Sequence, residues 1–188
     1  MLRQLEKRDV LHPAAIRGLR VRACRSLLSQ REGDLEGLKA LWGEWRTHER
    51  ELPEVVEAAA LAFAKAGDPS QGRRLLEASL SKEFAPRLLH VYAALPEVST
   101  RERIQQVERW REQHGDDADI TLALGRLCVA ESLWGKAADY FSRSLSARED
   151  ARVHLALAEL AERLGKVGDA AIHYRAAARS GLDNDLLP

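Results

Sequence analysis

The sequence contains few of the residues on which several protein classes depend. It has two cysteines, Cys24 and Cys128, far apart and in apolar helical contexts. Such a pair provides no disulfide framework, CxxC motif or zinc site, so we expect buried free thiols. The single asparagine, Asn184, lies near the carboxyl end.

Net charge and long apolar runs are also lacking. The 29 basic residues balance 29 acidic ones, so net charge gives no reason to expect nucleic acid as a partner. Four tryptophans are present, but Trp42 and Trp45 lie three residues apart, which favours packing over a base-stacking surface. The longest apolar run, Ala58–Ala64, is far shorter than the roughly 20 residues that cross a bilayer. We therefore expect a soluble chain without nucleic-acid binding.

Motifs for catalysis are missing as well. The sequence has no glycine-rich phosphate loop and no GxSxG, HExxH or CxxCH motif. We therefore predict no enzymatic activity, no catalytic residue and no metal site. Of the six histidines, none lies three or four residues from another, although His154 and His173 could approach across the last hairpin. His90 and His154 are weak candidate haem ligands. No cofactor is predicted, and haem or porphyrin is left open.

The residues that are abundant predict an all-α fold. Ala, Leu, Glu, Arg and Lys dominate, and apolar residues recur at intervals of three and four. Proline and glycine divide the chain into helices of roughly 10–18 residues. Leu124, Gly125 and Phe141 align with Leu157, Ala158 and Tyr174 of a following segment. Small residues thus match small ones, and one aromatic residue matches another. The residues predicted to pack within these hairpins are Leu124, Gly125, Trp134, Ala137, Phe141, Leu145, Ala158, Ala170 and Tyr174.

This pattern resembles the tetratricopeptide repeat (TPR), a helix–turn–helix unit of about 34 residues. The resemblance implies an α-solenoid of antiparallel hairpins wound into a right-handed superhelix. We expect one domain over residues 1–188. Its parts are a loose hairpin (13–48), a TPR-like hairpin (53–84), a degenerate repeat (85–117) and two TPR units (118–150 and 151–182). The helix in the degenerate repeat is expected to begin after Ser99, with Glu102 completing a capping box.

The TPR resemblance also implies where a partner would bind. In that family the first helix of each repeat lines a concave groove. Peptide-carboxylate clamps in the family use groove Asn and Lys residues, and the absence of a groove Asn makes that variant unlikely to apply here. We expect a groove of mixed charge for a helix or an extended segment, although Glu159 and Arg163 could simply pair along their own helix. The predicted groove residues are Glu54, Glu57, Leu61, Lys65, Asp119, Leu122, Arg126, Val129, Arg152, Leu155, Glu159, Glu162 and Arg163.

A more specific resemblance lies in residues 111–145, REQHGDDADITLALGRLCVAESLWGKAADYFSRSL. The HGDD turn, the LGRLC helix, the LWGKA helix start and the LEKRDVLHP opening are similar to the C-terminal region of HemY proteins. These are proteobacterial inner-membrane proteins associated with late protohaem biosynthesis. The resemblance implies an N-terminal membrane anchor outside this chain and a soluble domain on the cytoplasmic side. It implies a non-catalytic scaffold for haem-biosynthesis enzymes. The alternative is a haem- or porphyrin-binding accessory module or enzyme subunit in the same pathway.

Overall fold

The computed structural model describes the backbone of residues 13–96 and 99–185, and the side chains of residues 14–96 and 99–180. Within these ranges the chain forms eleven helices and no strand, which confirms the all-α prediction. The LEKRDVLHP opening, residues 5–13, lies outside the described residues except for the backbone of Pro13. The helices are α1 (Pro13–Ser29), α2 (Leu35–Glu44), α3 (Thr47–Arg50), α4 (Pro53–Lys65), α5 (Pro69–Lys82), α6 (Pro86–Ala94), α7 (Thr100–His114), α8 (Ala118–Ala130), α9 (Trp134–Ala147), α10 (Ala151–Arg163) and α11 (Val167–Asp185).

The chain divides into two compact units, Met1–Val98 and Ser99–Pro188. The single domain predicted over residues 1–188, with its repeat boundaries, stays a prediction. The ranges 53–84, 118–150 and 151–182 contain the pairs α4/α5, α8/α9 and α10/α11, of which α11 extends three residues past the last boundary. The range 13–48 contains α1 and α2. The division falls inside the degenerate repeat, so that α6 belongs to the first unit and α7 to the second.

Short polar side chains begin several helices. The side chains of Asp68, Asp117 and Asp150 accept hydrogen bonds from backbone N–H groups at the starts of α5, α8 and α10. Each bond satisfies a donor that has no partner inside its own helix. At the start of α7, the Ser99 hydroxyl accepts a hydrogen bond from the backbone N–H of Glu102 at 3.5 Å. The helix predicted to follow Ser99 is therefore present.

The turns of the three hairpins share one backbone conformation. Gly67 between α4 and α5 and Gly165 between α10 and α11 have φ angles of 90° and 72°. In the α8/α9 turn the same place is taken by Ser132, with φ 59°. In each turn the next residue donates its N–H to a carbonyl five residues earlier, as Leu133 does to Cys128 at 2.8 Å. A left-handed residue permits this closure, and it is costly for any residue except glycine.

The core of the first unit lies around α4. A cluster of buried residues joins Leu28, Leu38, Ala59 and Phe63 from α1, α2 and α4. Helices α4 and α5 meet at Gly72, where an added Cβ would lie 2.6 Å from the backbone oxygen of Ala60. That distance is shorter than van der Waals contact, so a glycine is needed for the two helices to pack this closely.

The core of the second unit lies around α8, most of whose residues are buried. A Cβ added to Gly125 would lie 2.3 Å from Cε1 of Phe141, whose side chain has no exposed surface. Leu124, Ala137 and Ala158 are also fully buried, and Ala170 nearly so. The glycine on α8 thus provides the space that the aromatic ring on α9 fills. This arrangement places a helix against this face of α9, as expected from the pattern of small and aromatic residues.

Three of the large residues predicted to pack within the hairpins are less buried than Phe141. Trp134 and Leu145 are half-buried on α9. The prediction is wrong for Tyr174, which is 38% exposed and donates its hydroxyl hydrogen bond to Glu162 at 2.9 Å. Ile172, two residues earlier on α11, is also exposed, at 59%. Its alignment with Phe141 therefore identifies the position in the repeat but not the degree of burial.

Candidate functional site

The predicted groove residues of the first unit lie on α4, and their charges are engaged. Glu57 accepts a hydrogen bond from Arg87 at 2.6 Å, and Lys65 donates one to Glu32 at 2.8 Å. Leu61 is 42% exposed. Leu61 and Lys65 line a cavity of about 310 Å³ between α1 and α4, which also includes Arg25. The structure thus brings two of the four predicted residues of this unit to one concavity.

In the second unit the groove prediction is wrong for Leu122. This side chain has no exposed surface, because it lies among the residues of α8 that pack into the core. In the TPR register, Leu122 and Arg126 lie one turn apart on the same face of α8. That face turns into the core toward the start of the helix, so Leu122 offers no surface to a partner.

Arg152 of the predicted groove belongs to an internal ion-pair cluster. Asp119, which is 4% exposed, accepts hydrogen bonds from Arg148 at 2.8 Å and from Arg152 at 2.9 Å. Asp150 accepts from the same two guanidinium groups, at 3.2 Å and 2.5 Å. Burial raises the pKa of Asp150, but the hydrogen bonds from Arg152 outweigh it and hold the pKa below its ordinary value. The cluster joins α8 to the start of α10.

This cluster was only partly predictable. The sequence predicts Asp119 and Arg152 as groove residues and indicates no role for Arg148 or Asp150. The available signal was the position of Asp150 directly before an apolar helical segment, which is typical of a helix cap. A capping aspartate beside two arginines forms charge-assisted hydrogen bonds readily.

Arg126 differs from Lys65 and Arg152, the predicted groove cations that are held in ion pairs. It is half-buried on α8, and no ion pair or hydrogen bond of its side chain occurs among the described residues. Burial lowers the pKa of its guanidinium, and the charge of Arg152 lowers it further, whereas Glu159 and Asp150 act in the opposite direction. A charge in this position is incompletely compensated. An anion brought beside it would therefore be stabilised.

Arg126 interacts electrostatically with Glu159 of α10, and accessible side chains lie one turn away from each of these two residues. Val129 follows one turn later on α8 and is half-buried. On α10, which contacts α8, Leu155 is 44% exposed and Glu159 is exposed. We call Arg126, Val129, Leu155 and Glu159 the Arg126 surface. It combines an apolar contact area with one uncompensated cation.

Arg163 lies one turn beyond Glu159 and is exposed. Among the described side chains no ion pair joins Arg163 to Glu159, although their spacing permits one. Glu162 accepts the hydrogen bond of Tyr174. The carboxyl end of α10 therefore leaves Glu159 and Arg163 available for contact with another molecule.

The two candidate haem ligands lie in different units. His90 is half-buried on α6, whereas His154 is 8% exposed on α10. The predicted approach of His154 and His173 is present, with their Nδ1 atoms 3.1 Å apart. The other nitrogen of His154, Nε2, lies 2.5 Å from the carboxylate of Glu149. Both ring nitrogens of His154 are thus engaged, and iron coordination would require it to give up one of these contacts. His154 does not fit a haem ligand in this arrangement.

The described part of the chain contains neither a cluster of metal ligands nor a helix that could span a membrane. Over residues 14–96 and 99–180, no group of three or more His, Cys, Asp or Glu side chains is placed to hold a metal ion. None of the helices in the described part of the chain combines the length and apolar character needed to cross a membrane.

Comparisons with known proteins identify neighbours in fold. No protein-family model matches the chain, and no curated protein matches its sequence. The solved structure of MamA residues 41 to the end from Desulfovibrio magneticus RS-1 is 18% identical, with a TM-score of 0.53 over 88% of this chain and 97% of that one. The RS-1 MamA ArsTM double mutant is 18% identical and gives 0.52 over the same shares. MamA of AMB-1 is 19% identical and gives 0.50 over 87% of this chain and 98% of that one.

These likenesses concern the fold alone. MamA is a TPR-like helical solenoid protein, and the chain resembles it over most of the length of both. Together with the helical hairpins and their shared turns, the likeness confirms the TPR-like helical fold.

Proposed function

We propose that this chain is a non-catalytic interaction scaffold that binds a partner protein on the Arg126 surface. The observation that carries the proposal is the state of Arg126, a half-buried cation with no ion pair among the described residues. Lys65 and Arg152 contrast with it, because acidic residues of the chain itself hold them, whereas Arg163 has no ion pair in the described part of the chain but is exposed to solvent. A TPR-like fold supports this class of function, since such folds use their helix faces to bind peptides and proteins.

The surface suggests the chemistry of the bound segment. A carboxylate of the partner would form a charge-assisted hydrogen bond with Arg126, and an apolar side chain beside it would cover Leu155 and Val129. Glu159 places an acidic group at the edge of the Arg126 surface. Charge repulsion therefore disfavours a partner that carries a second acidic residue opposite Glu159. The expected segment is therefore a helix or an extended strand that presents one acidic and one apolar residue.

We further propose that the parent protein is of the HemY type and that the partner is an enzyme of late haem biosynthesis. The HGDD turn and the LGRLC and LWGKA segments support this placement by their resemblance to that family. The parent would then be anchored in the inner membrane by a region outside this chain, with this domain on the cytoplasmic side. The structure positions two of these segments in one hairpin, at α8 and the start of α9.

Site-specific cross-linking in cells tests both the proposed binding surface and the proposed HemY-type parent protein. A photo-reactive amino acid at Leu155 in the parent protein should capture a partner, and one at exposed Ser142 on α9 should capture it much less. Once the partner is identified, Arg126→Gln should weaken its binding at least tenfold. Arg109→Gln, which removes an exposed arginine from α7, should change it less than twofold. Equal capture at both positions would refute the surface. A partner outside the haem pathway would refute the HemY placement and leave the scaffold proposal standing.

The alternative function, a haem- or porphyrin-binding accessory module, has a separate test. Titration of the purified chain with haem should produce no saturable Soret shift up to high micromolar concentration, because the nitrogens of His154 are engaged. A saturable shift that is lost in His90→Ala or His154→Ala would favour the alternative and count against a pure scaffold.

A further inference from the structure

The first unit contains a pocket that the sequence analysis did not anticipate. It has a volume of about 460 Å³ and is formed by residues of α2, α3, α4 and α5. Its apolar lining includes Trp42, Val56 and Leu75, and Arg50 is the cation at its side. This volume lies in the range of about 300–1,000 Å³ that is typical of small-molecule sites.

Arg50 is placed as an anion-binding group in this pocket. Its Nη2 donates a hydrogen bond to the backbone oxygen of Gly43 at 2.5 Å, and its guanidinium lies over the ring of Trp42 at 5.9 Å from the centroid. These two contacts fix the side chain. The Nε–H is buried and has no hydrogen-bond partner among the described residues, and no carboxylate there pairs with the guanidinium. A buried donor without a partner is unfavourable, and the guanidinium group that carries this donor belongs to a residue of the pocket lining.

The other charged groups of the pocket do not meet this need. Lys82 and Glu51 both line it, but they pair with each other at 2.6 Å. Glu83 is the fourth charged residue of the lining, so the charges of the pocket balance as a whole, and the attraction for an anion is local to the guanidinium of Arg50. The remaining lining is mainly apolar and includes the aromatic side chain of Trp42.

From this combination we propose that the Trp42–Arg50 pocket binds a small organic monocarboxylate with an apolar or aromatic body. The carboxylate accepts hydrogen bonds from Arg50, and the body lies against Trp42, Val56 and Leu75. This site is independent of the Arg126 surface, because it belongs entirely to the first unit.

The test uses 2-naphthoate as the probe and 2-naphthamide as its neutral analogue of the same shape. The protein has four tryptophans, so each indole N–H gives a separate signal in a two-dimensional ¹H–¹⁵N NMR spectrum. The signal of Trp42 is identified by its loss in Trp42→Phe. Addition of 2-naphthoate should shift this signal saturably and leave those of Trp110 and Trp134 in place. The amide should bind at least tenfold more weakly, because it lacks the charge that Arg50 recognises.

Variants then separate the roles of charge and volume. Arg50→Gln should weaken 2-naphthoate binding at least tenfold, whereas Arg74→Gln, on the exposed side of α5, should change it less than twofold. Ala78→Phe fills part of the pocket without altering Arg50 and should also abolish binding, which keeps the test decisive if Arg50→Gln unfolds. Equal affinity for acid and amide, full binding by the Ala78→Phe variant, or no saturable shift would overturn the proposal.

Discussion

Replacement of Gly125 by alanine should destabilise the second unit. The added Cβ would lie 2.3 Å from Cε1 and 2.4 Å from Cδ1 of Phe141, whereas carbon atoms in good contact are about 3.5–4.0 Å apart. The ring is fully buried, so it can retreat only by displacing other core residues. Overpacking of this kind costs about 1–3 kcal/mol. Alanine regains about 0.5–1 kcal/mol relative to glycine inside a helix, so the net loss is about 1–2 kcal/mol.

Thermal and urea unfolding followed by circular dichroism measure this loss. The Tm should fall by about 2–8 °C, given about 2–4 °C per kcal/mol for a chain of this length. Gly18→Ala is a matched control, because Gly18 lies inside α1 and an added Cβ would meet no atom within 4 Å. That variant should be as stable as the parent or more so. If Gly125→Ala were equally stable, or if Phe141→Leu failed to lessen its cost, close contact between α8 and α9 at Gly125 would be refuted.

Three further changes have expected outcomes. Ser132→Gly should raise the free energy of unfolding by about 0.5–1 kcal/mol, because φ at Ser132 is 59°; an unchanged or lower urea midpoint would contradict this conformation. Ala137→Leu should lower stability by about 1–3 kcal/mol, since Ala137 has no exposed surface; a melt like that of the parent would count against the register. Burial, followed by the charge of His154, lowers the pKa of His173, although Asp169 opposes the shift. In the unfolded chain His173 has the higher pKa and therefore takes up its proton at a higher pH. The stability that neutral His173 contributes to the folded protein is intact above about pH 6.5 and declines as the pH falls below that value. Urea unfolding at pH 7.5 and 5.5 should show a decline that is smaller in His173→Gln, and an equal decline would exclude this cause.

The repeat pattern predicted positions along the chain better than it predicted burial. Gly125 and Phe141 occupy the packed positions that their alignment indicates, because the shape of a hairpin is set by local spacing. Tyr174 aligns with Phe141 but is exposed, since burial of an outer residue depends on what packs beyond its helix. Each hairpin in such an array buries its face only against its neighbours. A single sequence gives the register of each hairpin but not which neighbour covers it.

The candidate site was predictable only in part for a different physical reason. The TPR register names Arg126, which is half-buried, and Leu155, which is 44% exposed, but it gives no information about which charges are paired. Arg152 and Lys65 have partners that lie far from them along the sequence, in Asp119 and Glu32. The Trp42–Arg50 pocket was missed because four separate helices form it. The pair of tryptophans was visible, but the position of Arg50 above one of them depends on a bend between α2 and α3.

The distribution of ion pairs explains why one cation can determine recognition in a chain with no net charge. Most exposed ion pairs contribute only about 0–1 kcal/mol to the stability of the fold. Their main effect here is to cancel positive charge that would otherwise attract many anions. Asp119 and Asp150 act in this way on Arg148 and Arg152, directly beside the Arg126 surface. Arg126 is left as the local positive charge, and its partial burial strengthens any hydrogen bond that it forms. For the binding that we propose on this face, internal pairing therefore favours an anion that reaches Arg126 itself.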